Sequence, residues 1–157
     1  MISPEQLRRY PFFAGLTTDH LRGLAMISEE VSYPAKTLIF KEGDEAKYLY
    51  ILVSGEVELL YSGGNEGAIA DTYVGSIVQG EVFGVSTMVL PFYLNASAKS
   101  EGPVETIQIE AAGMRAMCEV DHGLGYILMQ HLAQALTQRL HEARIQLAAA
   151  NRAVRTR

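Results

Sequence analysis

The chain has a single cysteine, Cys118, and therefore no internal disulfide. Unpaired thiols are the rule in reducing compartments. The chain also has no excess of basic residues: 13 lysines and arginines stand against 18 aspartates and glutamates, a formal net charge of −5. Broad nucleic-acid binding needs a basic footprint, so that class is excluded. No apolar run reaches the ~18–20 residues of a membrane span. Met1-Ile2-Ser3-Pro4-Glu5 carries neither a basic flank nor an apolar stretch and does not read as a secretory signal. Together these absences predict a cytoplasmic protein that is not in the membrane.

Catalytic signatures are missing too. The four histidines, His20, His122, His131 and His141, fall in predicted helices. None forms an H-x-H pair or an H-E-x-x-H motif, so no metal site and no cofactor are expected. No G-x-S-x-G or phosphate-loop pattern occurs. Gly63-Gly64-Asn65-Glu66-Gly67 is glycine-rich but lacks the lysine, and reads as a hairpin loop. Cys118 has no histidine or cysteine neighbour, so a buried apolar role is expected rather than a nucleophile. The chain does not read as an enzyme.

What is present is one domain's worth of ordinary globular sequence over 157 residues. N-terminal helices are expected over 1–30, a β region over 31–110 and helices over 111–157. Ser3-Pro4-Glu5-Gln6 reads as a capped helix start, and Leu16-Thr17-Thr18-Asp19 opens a second, with Leu21, Leu24, Ala25 and Ile27 at helical spacing. From Val31 the period shortens. Strands are expected at 37–40, 48–53 and 57–61, near 69–74, 76–78 and 96–99, and at 104–109, with a tight turn at Ser54-Gly55-Glu56. Many short strands with turns between them suggest a sandwich or jelly roll. One helix is expected from Ala111 to Val120, and a long one, capped by Asp121, from about His122 to Ala150.

In order and spacing, several segments resemble the cyclic-nucleotide-binding domain family of the catabolite activator protein and of cyclic-nucleotide-dependent kinase regulatory subunits. They are Phe12-Phe13-Ala14-Gly15-Leu16, Tyr33-Pro34-Ala35, Leu38-Ile39-Phe40-Lys41-Glu42-Gly43-Asp44, Ser54-Gly55-Glu56-Val57 and Gly80-Glu81-Val82-Phe83-Gly84. The resemblance runs from about Phe12 to about Leu147. It implies a mainly β fold with flanking helices (α+β), an antiparallel β jelly roll or double-stranded β-helix. Lys36 stands where the family has a turn glycine, which points to a reshaped turn.

The resemblance also implies a ligand cassette beginning at Gly84. A cyclic phosphate there needs backbone N–H donors and a bidentate guanidinium, and a carboxylate takes the ribose hydroxyl. Here the glutamate position holds Val85 and the arginine position Leu94. No lysine or arginine occurs between Lys47 and Lys99, so no cation nearby in the chain replaces the arginine. An under-paired buried phosphate costs ~2–5 kcal/mol, so tight cyclic-nucleotide binding is not expected. Three readings stay open for the cassette Gly84, Val85, Ser86, Thr87, Leu94, Asn95, Ala96 and Ser97. It is a pocket retuned to an apolar or weakly polar metabolite, with Met88 and Tyr93 among its walls. Alternatively it is a dead pocket filled by its own side chains in an interaction module, or a weak nucleotide site.

In the last helix, Ala133, Leu136, Leu140, Ala143, Leu147, Ala150 and Val154 repeat at 3, 4 spacing, a heptad seam. Leu128, Leu132, Leu136 and Leu140 form a second stripe. One face is expected to pack on the β roll and the other on a second copy, making a homodimer, as the resemblance implies. Arg152, Arg155 and Arg157 suit the negative end of the helix dipole. No helix-turn-helix pattern follows, so direct DNA binding is not expected. A small-molecule effector or a protein partner would then carry the signal.

Overall fold

The computed structural model describes residues 1–62 and 72–155. Two short helices come first, α1 (Pro4–Arg8) and α2 (Thr18–Met26). Both begin with reciprocal caps. The Ser3 hydroxyl accepts from Gln6 N–H at 3.2 Å, and Gln6 Oε1 accepts from Ser3 N–H at 2.7 Å. At α2, Thr17 Oγ1 accepts from His20 N–H at 3.1 Å, and His20 Nδ1 accepts from Thr17 N–H at 3.2 Å.

Eight strands follow: β1 (Ser28–Tyr33), β2 (Leu38–Phe40), β3 (Tyr48–Ser54), β4 (Val57–Tyr61), β5 (Thr72–Ile77), β6 (Val82–Phe83), β7 (Ser97–Ser100) and β8 (Val104–Glu110). They form two four-stranded antiparallel sheets, β1-β8-β3-β6 and β2-β7-β4-β5. The expected mainly β roll with flanking helices is therefore present. The β region starts at Ser28, before the expected Val31. The strands read at 69–74 and 76–78 are one strand, β5, across Gly75; residues 69–71 and the expected 63–67 loop lie outside the described residues. The strand expected at 96–99 is β7, one residue later. After the sheets come α3 (Ala111–Val120) and α4 (His122–Arg155), which runs five residues past the expected end.

Strand alternation divides the core in two. In β3, Leu49 and Ile51 point toward the helices, where they join Leu7, Phe13, Leu24, Met114 and Leu128. Tyr50 and Leu52 point between the sheets, where they join Phe40, Val57, Phe83, Leu94 and Val104. That double burial is why residues 48–53 are apolar on both faces.

Two turns bear on the sequence reading. Lys36 keeps the left-handed geometry of a glycine, with φ +57°; the turn is not reshaped. Lys36 N–H bonds Ser100 O at 3.0 Å, and its ammonium pairs with Glu101 at 2.9 Å. These contacts hold a conformation that a non-glycine residue adopts at a cost. Gly55, with φ +95°, forms the tight turn; a side chain there would lie 2.7 Å from Pro103 O.

α4 is buried only at its start, through Leu124, Leu128 and Leu132. The stripe expected to continue along the roll leaves it after Leu132: Leu136 and Leu140 are exposed. A 34-residue helix is about 50 Å long, and its last fully buried residue is Leu132.

Candidate functional site: the cassette after Gly84

β6 delivers the chain to Gly84, which sits at φ +70° and caps a single 3-10 turn, Val85–Met88. A Cβ at Gly84 would lie 2.8 Å from Tyr50 Cδ2 and 3.0 Å from Tyr48 O. Glycine is therefore required twice, for its φ and for this close approach. Tyr50 is packed in turn against Phe83, with ring centroids 4.9 Å apart, and against Phe40 at 5.3 Å. This aromatic stack occupies the space between the sheets, and burial pushes the Tyr50 phenol well above its usual pKa.

The structure brings the expected site residues into one short segment but gives them different tasks. Leu94, expected at the family's arginine position, is 6% exposed and packs into the inter-sheet core. Val85, expected at the glutamate position, packs half-buried against the helical core, as does Met88. The polar residues divide. Thr87 is fully buried and donates to Gly84 O at 3.1 Å. Ser97 is buried, and its hydroxyl accepts from Glu42 N–H at 2.9 Å. Both are engaged by their own fold. Ser86, Asn95 and Ala96 border the space that remains, a cavity of about 40 Å³ that also touches Leu94 and Phe83. Small-molecule sites usually need about 300 Å³ or more, so this cavity has room for water but not for a nucleotide. Tyr93 is no wall of it; its side chain is exposed while its backbone bridges to Glu45.

A wider recess of about 450 Å³ opens beside Leu94, lined by Tyr48, Tyr50 and Phe40. Its charges are Asp44, Glu45 and Lys47, two negative against one positive, which is unsuitable for a phosphate.

The cassette has no lysine or arginine nearby in the chain, but two arginines distant in sequence reach it. Arg115 of α3 donates from Nη1 to Thr87 O at 2.7 Å, and its guanidinium lies 4.2 Å from the Phe92 ring centroid, a cation–π contact. Phe92 has φ +64° and is held by backbone bonds from its N–H to Val89 O and from Ala46 N–H to its carbonyl. Arg139 of α4 borders the 40 Å³ cavity, and its Nη2 donates to Val82 O. Burial pushes its pKa down, against the opposing pull of Glu81 and Glu142. Neither residue carried a sequence signal beyond being an arginine within a helix, Arg115 in α3 and Arg139 in the helix read for its seam.

The expected seam residues Ala133, Leu136, Leu140, Ala143 and Leu147 all lie on the exposed part of α4, as do Ala150 and Val154. Arg152 and Arg155 lie in its last turn, while Arg157 is outside the described residues. Cys118 is half-buried against the helical core, where burial raises its thiol pKa. No described helix is long and apolar enough to cross a membrane, and no metal-holding cluster occurs among the described residues.

Comparisons agree with this architecture. A candidate cyclic nucleotide-binding protein from Geobacter metallireducens GS-15 is 43% identical; the match covers 90% of this chain and all of that one, with a TM-score of 0.81. The sensor domain of the transcriptional regulator DNR from Pseudomonas aeruginosa shares the fold at 19% identity, covering 88% and 91% of the two chains with a TM-score of 0.68. So does the regulatory subunit of a cAMP-independent protein kinase A from Trypanosoma brucei, at 18% identity, 92% and 50% coverage and a TM-score of 0.71. No curated protein matches the chain. The model of the cyclic nucleotide-binding domain matches residues 30–121, and the chain belongs to that family.

Proposed function

We propose that the chain is a non-enzymatic, cytoplasmic regulatory domain whose cassette does not hold a cyclic nucleotide tightly and whose output passes through α4. The observation that carries this reading is Leu94. Where a guanidinium would face the phosphate, an apolar side chain is sealed into the core and leaves only about 40 Å³. A cyclic nucleotide would have to displace Leu94 and would leave its phosphate without the bidentate partner.

The domain acts as a homodimer. Leu136, Leu140 and Leu147 are presented on one side of a helix that projects past its own roll, and no described residue covers them. An equilibrium between two α4 positions relative to the cassette would transmit the signal. Arg115 and Arg139, which tie α3 and α4 to the cassette, are the contacts that would change.

Thermal shift and calorimetry with cyclic AMP and cyclic GMP at millimolar concentration test the reading. Neither nucleotide should move the melting temperature. A rise of several degrees with either would overturn it.

A further inference from the structure

Arg139 is a half-buried cation with no carboxylate in contact with it. Among the described residues it forms no ion pair, and of its five N–H donors only one hydrogen bond, to Val82 O, is made. Two acids, Glu81 and Glu142, lie near enough to act on its charge but do not contact it, and each accepts a hydrogen bond from elsewhere. Glu81 Oε1 accepts from Val78 N–H at 2.8 Å, and Glu142 Oε1 accepts from Gln138 Nε2 at 3.2 Å. Charges held away from water are normally paired, because an unpaired one forfeits its hydration without compensation.

The guanidinium is also the wall shared by two recesses. On one side is the 40 Å³ cavity with Ser86 and Asn95, whose side chains make no hydrogen bond among the described residues. On the other is a groove of about 310 Å³ between α4 and the segment leading into β6, walled by Pro11, Phe12, Val82 and Ala135. Its volume is that of a small-molecule site, and beside its apolar walls it carries Glu81, His131, Gln134, Gln138 and Arg139.

We propose that Arg139 and this groove bind an apolar monocarboxylate. The carboxylate pairs with the guanidinium, and the hydrocarbon body lies between Phe12, Val82 and Ala135. Glu81 also borders the groove and disfavours a second negative charge, so a carboxylate is preferred to a phosphate dianion. The bound molecule would bridge α4 to β6 and favour the α4 position in which Arg139 stays beside Val82. This inference rests on the reading of the domain as a sensor that signals through α4.

The test uses the full chain and four probes at matched ionic strength: acetate, hexanoate, hexyl phosphate and 1-hexanol. Hexanoate at about ten times its Kd should raise the melting temperature by several degrees. Acetate, hexanol and hexyl phosphate should do markedly less. Arg139→Gln should weaken hexanoate at least about tenfold, the loss expected for a charge-assisted pair. Equal stabilisation by hexanol and hexanoate, or unchanged hexanoate binding in Arg139→Gln, would sink the proposal. Stronger stabilisation by hexyl phosphate would overturn the carboxylate preference. If Arg139→Gln does not fold, Gln134→Trp serves: this exposed α4 position borders the groove, and the indole would fill it. That variant should melt as the parent does without ligand and lose its response to hexanoate; a retained response would count against the site. Cyclic AMP run in parallel separates the two readings. A cyclic AMP response that survives both variants refutes the closed cassette, whereas silence from hexanoate refutes only the groove.

Discussion

Gly84 is where a single residue decides the geometry of the site. Its left-handed φ and the 2.8 Å approach to Tyr50 are separate constraints, and they can be measured separately. Gly43 has φ +91° but open space around its missing side chain. Gly43→Ala should therefore show the backbone cost alone, about 1–2 kcal/mol. Gly84→Ala should add an overpacking cost and reach about 2–5 kcal/mol. Urea titrations of both variants give the difference; equal losses would mean that the Tyr50 ring moves aside freely. Leu94 is the opposite case, a residue held by packing rather than by its backbone conformation. It is buried in the segment before β7, with its backbone N–H bonded to Asp44 O at 2.8 Å.

At the scale of elements, the join between α2, α3 and α4 depends on one carboxylate. Asp121 Oδ1 accepts from Leu124 N–H at 3.1 Å and caps α4, while Oδ2 accepts from His20 Nε2 at 2.7 Å. Because Thr17 N–H donates to His20 Nδ1, the proton sits on Nε2, and the neutral ring suffices for the contact. The His20 bond, followed by the backbone N–H of Leu124, lowers the Asp121 pKa. A folded pKa below the unfolded one means that the stabilisation is complete above about pH 4 and fades as pH falls through the folded value. Asp121→Asn should be less stable than the parent at neutral pH and should lose less on acidification below about pH 4. Urea midpoints across that range check this; parallel pH profiles would contradict it. The buried start of α4 predicts a second effect. Leu128 is fully enclosed, so Leu128→Ala should cost about 2–5 kcal/mol by chemical denaturation.

For the whole molecule, the question is what α4 does beyond Leu132. Its exposed leucines are 39%, 50% and 61% accessible at positions 136, 140 and 147, more apolar surface than a lone helix gains by showing to water. Sedimentation at micromolar concentration should give a dimer, and Leu147→Glu should shift it to monomer while leaving the cooperative unfolding of the roll intact. A parent chain that sediments as a monomer would remove the dimer from the proposal. The same geometry bears on signalling. Arg139 lies between the buried start of α4 and the distal seam and touches β6, so whatever pairs with it acts on the lever between roll and partner.

The element order, the capping box at Ser3 and the Asp121 cap are all local patterns, and each was legible in the sequence, whereas the reciprocal cap of Thr17 by His20 was read only as a helix start. Capping depends on residues three apart and strand alternation on a period of two. Other features depend on chain segments far apart in sequence, and only the tertiary structure decided them. Lys36 keeps its turn because Ser100 and Glu101 hold it from the other side of a strand pair. The leucine stripe stops being core at Leu136 because its side chains there face away from the packed body. The cassette is not without a cation, because the fold packs α4 against β6 and sets Arg139 beside Val82, 57 residues away in sequence. A guanidinium so placed depends on the packing of helix on sheet, and no spacing within the cassette could report it.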